Sequence, residues 1–313
     1  MENVVSLRSP AVSVIMNCYN SAQYLAEAID SVYAQTSSDW EIIFWDNCST
    51  DNSAEIARRY DQRLRYFRGE KTIPLGHARN LAIEKARGTH IAFLDCDDIW
   101  LPTKLEKQLP LFNDFEVDLV YGNYYQINED ASKKQIGSKK PQPRGNVFRR
   151  FLKYYPVNLQ TVMVRKNSLE KLESLFDPKL NMSEEYDLFM RLLYNGKADY
   201  LDMPVAKSRI HDAMMSLKKI DQYPVEYKYI LKKLGELIPN IEGEYREELR
   251  YLRAKIGYWQ ASAEMLKGSK ARARNSLAPF RWYGFAFFIL YCFTFFPRSF
   301  WLYLQKNRKR FLI

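Results

Sequence analysis

Cysteine is scarce in this chain, and its four cysteines form neither a CxxC pair nor a spacing typical of a zinc site. This pattern argues against a disulfide framework and is typical of a reducing compartment. The first ten residues, MENVVSLRSP, also lack the apolar stretch of a signal peptide. We therefore expect a cytoplasmic protein. The cysteines are Cys18, Cys48, Cys96 and Cys292.

Acidic residues are absent from residues 265–313, which hold ten Lys and Arg. The preceding residues carry equal numbers of acidic and basic side chains, so this tail holds the whole net charge of +10. Its basic residues bracket an apolar and aromatic run at 282–296, shorter than the ~20 residues that span a bilayer. Such a surface suits an anionic membrane face better than nucleic acid, which we exclude as a partner.

Three arrangements remain open for residues 281–313: an anchor lying in the plane of the membrane, a tilted single span, and a helix packed on the protein. The pattern favours the first. We therefore expect a peripheral or monotopic protein on the inner face of the cell membrane. The chain divides in sequence into a domain at 1–218, a helical extension at 219–280 and the membrane-associating tail at 281–313.

Apolar runs alternate with helix-like stretches over the first 120 residues, which predicts an α/β domain with a doubly wound, mostly parallel sheet. Ligands of such sheets bind beyond the carboxyl ends of the strands. Strands are expected at 12–16, 41–45, 64–67, 91–94, 117–121, 158–164 and 200–210. Helices are expected at 23–34, 53–60, 75–86, 102–112, 184–193, 225–237, 242–266 and after Gly268, and a mobile polar loop at 129–144.

Three carboxylates, Asp95, Asp97 and Asp98, follow the fourth predicted strand within four positions. Carboxylates placed together at the end of a buried strand repel one another, so we expect a positive group between them. Mg²⁺ or Mn²⁺ is the natural candidate, because these ions take few protein carboxylates and leave positions for phosphate oxygens. The alternative is a polar loop that caps the helix predicted from Pro102.

Other polar residues follow the first two predicted strands: Asn17 and Tyr19 after the first, Asp46 and Asn47 after the second. The second group also suits a turn that caps the next helix. Arg79 lies on a predicted helix, where it could reach a phosphate or lie on a solvated face. The chemistry of these residues is compatible with binding a nucleotide at one edge of the sheet.

Five motifs in order resemble the inverting family 2 glycosyltransferases with a GT-A (Rossmann-like) fold. They cover roughly residues 10–212, and the helical C-terminal extension follows. The motifs are VSVIMNCYN (12–20), EIIFWDNCSTD (41–51), GHARN (76–80), FLDCDDIW (93–100) and SEEYDLFMR (183–191). The resemblance implies a nucleotide-diphosphate sugar donor, with a UDP-sugar favoured, a divalent cation, and transfer without a covalent enzyme intermediate.

The resemblance also implies roles for single residues. The Asp97 carboxylate would bind the metal, His211 would approach it, and the metal would neutralise the departing diphosphate. The base would be Glu185, with Glu184 or Asp187 as alternatives. Nucleotide contacts would come from Asn17, Tyr19, Asp46, Asn47 and Arg79, the ribose or sugar contact from Asp95, the sugar pocket from Asp98, and the acceptor side from Trp100 and Glu184.

The chain departs from the family pattern at three of these positions. Glu185 stands where the family has Asp, and the longer side chain needs a different reach. Asn17 stands where relatives often carry Pro or Thr, and Asn47 where many carry a second Asp. Because Asn brings no negative charge, these two changes leave the preferred nucleoside open.

The leading function is transfer of a sugar to a glycan or lipid-linked acceptor in cell-surface polysaccharide synthesis. A sugar nucleotidyltransferase is a rival, but it would need a Gly-rich, basic loop after the first strand, and residues 17–21 contain neither Gly nor Lys. The third possibility is a catalytically inactive, membrane-associated partner that binds a nucleotide-sugar without transferring it. The retained carboxylates Asp95, Asp97 and Glu185 argue against that possibility.

Overall fold

The structure, a computed structural model, describes residues 9–211, 219 and 221–301. These residues form two compact units, which we name the sheet unit (9–151 and 155–211) and the helical unit (152–154, 219 and 221–301). The predicted domain boundary after residue 218 falls at 212–218, outside the described residues. Residues 221–280 and 281–301 belong to one unit, and the three-part division stays a prediction.

The sheet unit is built on one mixed sheet with the strand order β3-β2-β1-β4-β8-β6-β9-β5, and β7 pairs with β6. The strands are β1 Val12–Cys18, β2 Trp40–Asp46, β3 Leu64–Arg68, β4 His90–Phe93, β5 Ile99–Trp100, β6 Val117–Asn128, β7 Lys134–Ile136, β8 Met163–Arg165 and β9 Lys197–Ile210. The first four strands pair in parallel, as the alternation of the sequence predicts.

Helices of the sheet unit connect these strands. They are α1 Ala22–Tyr33, α2 Ser53–Ala57, α3 Leu75–Glu84, α4 Lys104–Gln108, α5 Phe148–Lys153, α6 Lys166–Glu170 and α7 Glu184–Asn195. The last two residues of α5 belong to the helical unit. Helix α1 buries Leu25, Ile29 and Val32 against the sheet, at the spacing of one helical face. The helix predicted at 102–112 is wrong in its second half, because Leu109–Asn113 is a 3₁₀ helix with Pro110 in its first turn.

The carboxyl ends of β1, β2 and β4 meet at one edge of the sheet. Cys18 at the end of β1 lies opposite Asp46 at the end of β2, and Ile15 of β1 lies opposite Phe93 at the end of β4. Almost every residue of β1 and β2 is buried, which is typical of parallel strands covered on both faces. This register brings the polar residues that follow the three strands together.

The second half of the sheet departs from the predicted parallel order. Strand β8 is antiparallel to both β4 and β6, and β5 is antiparallel to β9. The strand predicted at 158–164 is wrong in its first half, since the Asn158 side chain accepts a hydrogen bond from Gln160 N and forms a 3₁₀ turn at Leu159–Thr161. The loop predicted at 129–144 contains β7, which closes a hairpin with β6.

The helical unit contains α8 Tyr223–Leu237, α9 Ile241–Glu244, α10 Arg246–Leu266, α11 Lys270–Leu277 and α12 Phe285–Phe293. A separate hydrophobic core joins α10, α11 and α12. Phe287, Leu290 and Trp301 are buried in it, whereas Trp282 and Phe285 are 73% and 79% exposed. No helix in the described part of the chain is both long and apolar enough to cross a membrane.

Candidate active site

The three carboxylates after β4 lie close together. Asp95, Asp97 and Asp98 each offer an oxygen, and these oxygens lie within 4.8 Å of one another. Asp95 and Asp97 keep 40% and 34% of their side chains exposed, whereas Asp98 is buried. We name this group the acidic cluster. Its geometry agrees with the predicted cation site more closely than with a helix cap, since no side chain in the described range caps α4.

His211 lies against the acidic cluster. Its Nε2 atom is 2.9 Å from Asp97 Oδ2, and its ring is 5.7 Å from that of Tyr24. Burial and the neighbouring charge of Asp95 raise the pKa of Asp97, although the hydrogen bond to His211 opposes this shift. The structure therefore brings together the two residues that the sequence assigns to the metal.

Asp98 is held from inside the protein. Its Oδ1 atom accepts a hydrogen bond of 2.6 Å from Arg209 N, and burial raises its pKa well above the usual range, as do the charges of Asp97 and Asp95. The Arg209 guanidinium donates to Asp97 O at 3.0 Å and to Glu27 at 2.5 Å. Asp98 and Arg209 thus fasten the acidic cluster to β9, and the predicted sugar contact of Asp98 stays a prediction.

Arg79 links the acidic cluster to helix α7. Its side chain is buried, and it donates to Asp95 Oδ1 at 3.2 Å and to Glu184 Oε1 at 2.6 Å. The guanidinium also lies over the ring of Phe176, with 5.4 Å to the ring centroid. Arg79 is therefore not a residue of a solvated helix face. It joins the motifs that begin α3 and α7 to the end of β4.

Glu185 differs from its acidic neighbours on α7. Burial and the charge of Glu184 raise the pKa of Glu185 to about 8, although Arg79 opposes the shift. Glu184 is paired with Arg79, and Asp187 is buried and bonded to Arg191 at 2.8 and 3.0 Å. The Glu185 carboxylate makes no hydrogen bond to another residue in the described ranges. Of the three candidate bases, Glu184 and Asp187 are held in ion pairs, and Glu185 is the one whose carboxylate is not.

The predicted nucleotide contacts divide into two kinds. Asp46 is buried, and its carboxylate accepts from Ser49 N at 2.7 Å, Tyr66 Oη at 2.5 Å and Arg68 at 3.2 Å. The Asn47 amide exchanges two hydrogen bonds with the Ile73 backbone. These two side chains shape the turn after β2 from inside, and their contact with a nucleotide stays a prediction.

Asn17 lies next to the last residue of β1, and Tyr19 follows the strand directly. Tyr19 is 53% exposed. The Asn17 Nδ2 atom is buried and has no hydrogen-bond partner in the part of the chain that the structure describes. An unpartnered buried amide is costly, so a ligand oxygen at this position would satisfy it. This observation supports the predicted contact of Asn17.

Gln160 contacts the acidic cluster, although it is not among the residues that the sequence predicts for the site. Its Oε1 atom accepts from Asp95 N at 2.8 Å, and its Nε2 atom donates to Asp95 Oδ2 at 2.6 Å. Its backbone oxygen accepts from the indole of Trp100 at 2.9 Å. Trp100 is buried, so it supports the site from the core and can shape the acceptor side only indirectly. The sequence feature that could have indicated Gln160 is its place as a polar residue in the mainly apolar segment 157–164, which leads into β8.

Comparison with known proteins agrees with this geometry. Residues 13–172 match the family model "Glycosyl transferase family 2". An uncharacterized glycosyltransferase of Methanocaldococcus jannaschii is 34% identical over 240 residues, which are 73% of this chain and 81% of that protein. The chain belongs to glycosyl transferase family 2. The resemblance of the five motifs to family 2 glycosyltransferases is confirmed, and the protein is a glycosyltransferase.

Another relative of this glycosyltransferase is an Escherichia coli enzyme named UDP-Glc:alpha-D-GlcNAc-diphosphoundecaprenol beta-1,3-glucosyltransferase. The two are 28% identical over 232 residues, which are 73% of this chain and 87% of the relative. The name of that enzyme describes a UDP-sugar donor and a lipid-linked acceptor.

Solved structures confirm the predicted GT-A fold class. TarS of S. aureus, solved in complex with UDP-GlcNAc, matches with a TM-score of 0.68 and 20% identity, over 86% of this chain and 80% of that chain. The mannosyltransferase PcManGT of Pyrobaculum calidifontis, solved with GDP-Man and Mn²⁺, matches with a TM-score of 0.61 and 17% identity, over 87% and 75%. At these identities the likeness concerns the fold.

The acidic cluster of this family 2 enzyme fits a hard divalent cation. Its donors are carboxylate oxygens, which such cations prefer. The raised pKa values of Asp97 and Asp98 arise from burial and from the negative charges of neighbouring carboxylates, and a bound cation would relieve both effects. Asp95 and Asp97, the more exposed members, could hold the ion, and His211 offers an imidazole nitrogen beside them.

Proposed function

We propose that this enzyme transfers a sugar from a nucleotide-diphosphate sugar, with a UDP-sugar favoured, to a hydroxyl of a glycan or lipid-linked acceptor. The transfer inverts the anomeric centre and serves the synthesis of a cell-surface polysaccharide. The observation that carries the proposal is the position of Arg79 between Asp95 and Glu184. Through Arg79, the cluster that would hold the donor diphosphate and the helix that carries the base belong to one site.

The donor side is formed by the ends of β1, β2 and β4. The unpartnered Asn17 amide and the exposed Tyr19 ring offer contacts to a nucleoside, and the turn braced by Asp46 and Asn47 lies at the adjacent strand end. Asp95 and Asp97 would hold Mn²⁺ or Mg²⁺ together with His211. When bound, the cation supplies neutralisation of the charge on the departing nucleoside diphosphate.

On the acceptor side, Glu185 is the proposed base. A carboxylate with a pKa of about 8 is a stronger base than an exposed glutamate, so it can take the proton of the incoming hydroxyl near neutral pH. Glu184 and Arg79 hold the start of α7, and so the position of Glu185, in place. This division of roles favours Glu185 over Glu184 and Asp187.

The helical unit is proposed to bring the enzyme to the inner face of the cell membrane. One side of the segment that includes α12 packs into the core of the unit through Phe287 and Leu290. Its other side exposes Trp282 and Phe285 beside basic residues. Exposed aromatic and basic side chains suit the surface of an anionic bilayer, where a lipid-linked acceptor is concentrated. The last basic residues, at 306–310, lie outside the described residues.

The proposed donor can be tested by thermal-shift measurements with a panel of UDP-, GDP- and dTDP-sugars in the presence of Mn²⁺. A donor at about 100 times its Kd should stabilise the protein by about 2.7 kcal/mol, and we expect a UDP-sugar to do so. The anomeric configuration of the transfer product, measured by NMR, then tests inversion. A retained configuration would contradict the direct displacement by an activated hydroxyl.

The same panel separates the alternatives. A nucleotidyltransferase would release pyrophosphate from a nucleoside triphosphate and a sugar phosphate, which we do not expect. A catalytically inactive partner would bind the donor but neither transfer nor hydrolyse it when acceptors and Mn²⁺ are supplied. Turnover that depends on Glu185 would exclude this second alternative.

A further inference from the structure

The helical unit contains a cavity of ≈ 510 Å³ that none of the candidate active-site residues lines. This volume lies within the roughly 300–1,000 Å³ that is usual for small-ligand pockets. Residues of α8, α9, α10 and α11, and of the 3₁₀ helix that follows α11, line the cavity. It is therefore a feature of the helical unit alone.

The walls of the cavity are mainly apolar. Leu231, Ile256 and Phe280 line it, and two glycines leave it open. A Cβ atom on Gly235 would meet nothing within 4 Å, so this position of α8 faces open space. A Cβ atom on Gly257 would lie 2.8 Å from the Phe280 ring, so α10 depends on glycine to approach that ring. The apolar walls suit a hydrocarbon chain.

Positive side chains outnumber negative ones in the lining of the cavity. Arg253 and Glu242, which also line the cavity, neutralise each other in an ion pair. Lys228 has no carboxylate partner among the residues that the structure describes, and its Nζ atom is 3.5 Å from Gln260 Oε1. Lys232 pairs with Glu236 only at 3.7 Å, between exposed side chains, where such a pair is weak. An ammonium beside apolar walls suits an anionic amphiphile.

An exposed aromatic surface, formed by Trp282, Phe285 and Phe288, follows the cavity residue Phe280 in the chain. Trp282 follows Phe280 by two positions, and its ring stacks on that of Phe288 at 5.3 Å. An exposed apolar surface flanked by basic residues is typical of contact with a membrane. The ligand that such a surface meets at high local concentration is a lipid.

We propose that the cavity binds an acidic phospholipid of the bilayer. Its phosphate lies at Lys228 and Lys232, and the first part of one acyl chain lies between Leu231, Ile256 and Phe280. The proposal rests on the membrane contact in the proposed function, but sugar transfer plays no part in it. Occupation of this site would select an anionic membrane, which the exposed aromatic rings alone do not.

The test uses the full chain and dihexanoyl phosphatidylglycerol below its critical micelle concentration, with binding measured by calorimetry. Gly235→Leu fills the cavity from its open side, and Gly235→Ala is the matched control, since both remove a helical glycine. We expect Gly235→Leu to weaken binding about tenfold or more relative to Gly235→Ala, equivalent to about 1.4 kcal/mol. Equal affinity of the two variants would overturn the proposal.

A second arm tests the charge. Lys228→Gln should weaken binding of the phosphatidylglycerol, whereas Lys270→Gln, an exposed lysine outside the cavity, should not. Dihexanoyl phosphatidylcholine, which has no net charge, should bind more weakly to the wild type. Equal binding of the two lipids would overturn the anionic assignment, and tighter binding of farnesyl phosphate would assign the cavity to a prenyl lipid instead.

Two controls separate this proposal from the proposed function. Trp282→Ser with Phe285→Ser should reduce flotation with phosphatidylglycerol vesicles while leaving binding of the soluble lipid unchanged. Loss of soluble-lipid binding in that variant would contradict a cavity site. Stabilisation by a UDP-sugar reports on the sheet unit, so its absence in every variant would overturn the proposed UDP-sugar donor and leave the lipid site standing.

Discussion

Arg79 and Glu184 form a buried ion pair, with 2.6 Å between Nη1 and Oε1, although they are 105 positions apart in the chain. Both side chains are about 5% exposed or less. A buried charge is costly without its partner, so this pair fixes the start of α7 against α3. Because Arg79 also binds Asp95, any change at Glu184 affects both sides of the proposed site.

Glu184→Gln should destabilise the protein, since it leaves the Arg79 charge with only Asp95 as a partner. Removing one member of a buried ion pair costs about 3–5 kcal/mol, and the second carboxylate places the expected loss near the lower value. The free energy of unfolding in urea measures it. Glu173→Gln, at an exposed position, is the control and should change this free energy by less than about 0.5 kcal/mol.

The pH dependence of sugar transfer should follow the ionisation of Glu185. Because the base must be deprotonated, kcat/KM for donor should rise with pH and level off above a pKa of about 8 in the free enzyme. The charge of Glu184 contributes to that raised pKa, so Glu184→Gln should move the rising limb to lower pH. An unchanged limb in this variant would contradict the assignment of Glu185.

Replacing the base should slow transfer but spare donor binding. Glu185→Gln keeps the size of the side chain and removes its basicity, so we expect turnover to fall by roughly 10²-fold or more. Calorimetry with UDP should give the same Kd for wild type and variant. If turnover is equal in the two proteins, the base lies elsewhere on α7.

Glu185 should also make stability depend on pH. Its folded pKa of about 8 exceeds the ordinary value of 4.5, so the folded protein holds a proton that the unfolded chain releases. The contribution of Glu185 to the free energy of unfolding is complete below pH 4.5 and is lost progressively as pH rises to about 8. Glu185→Gln should lack this loss. Unfolding curves of both proteins across this range measure the difference, and parallel pH dependences would refute the raised pKa.

Gln160 should contribute to Mn²⁺ affinity, although it lies 65 positions from Asp95 in the chain. Gln160→Leu removes both hydrogen bonds that hold Asp95, and such supporting residues typically contribute about 10–100-fold to metal affinity or activity. We expect that loss in Mn²⁺ affinity. Gln142→Leu is the control, because among the described residues its amide donates to Ser138 and Lys140, which lie in a surface segment. Equal Mn²⁺ affinity in Gln160→Leu and wild type would remove Gln160 from the site.

The sequence predicts the parallel half of the fold and the place of the acidic cluster because both depend on local patterns. Each of β1 and β2 is an apolar run, and polar residues after such runs meet at one edge of the sheet. The sequence does not predict the short strands β5 and β7, and it predicts β8 only as the end of a longer strand at 158–164. Strand β8 has three residues, and it exists because β4 and β6 pair with it on either side.

The sequence also does not predict Gln160 and Arg209, which support the acidic cluster, because their contacts join distant parts of the chain. Gln160 is 65 positions from Asp95, and Arg209 is 112 positions from Asp97, so no local pattern relates them. One signal did exist for Arg209. It lies two positions before His211 at the end of β9, and alternate residues of a strand face the same side. His211 was predicted, and its neighbour on that side was not.

The most direct test of the account is the Mn²⁺ dependence of UDP binding by calorimetry, with wild type, Asp97→Asn and the exposed control Asp39→Asn. We predict that wild type and Asp39→Asn bind UDP only when Mn²⁺ is present, and that Asp97→Asn has lost this metal-dependent binding. Equal UDP affinity in Asp97→Asn, or in wild type with the metal removed by EDTA, would contradict the claim that the acidic cluster holds the donor through a cation.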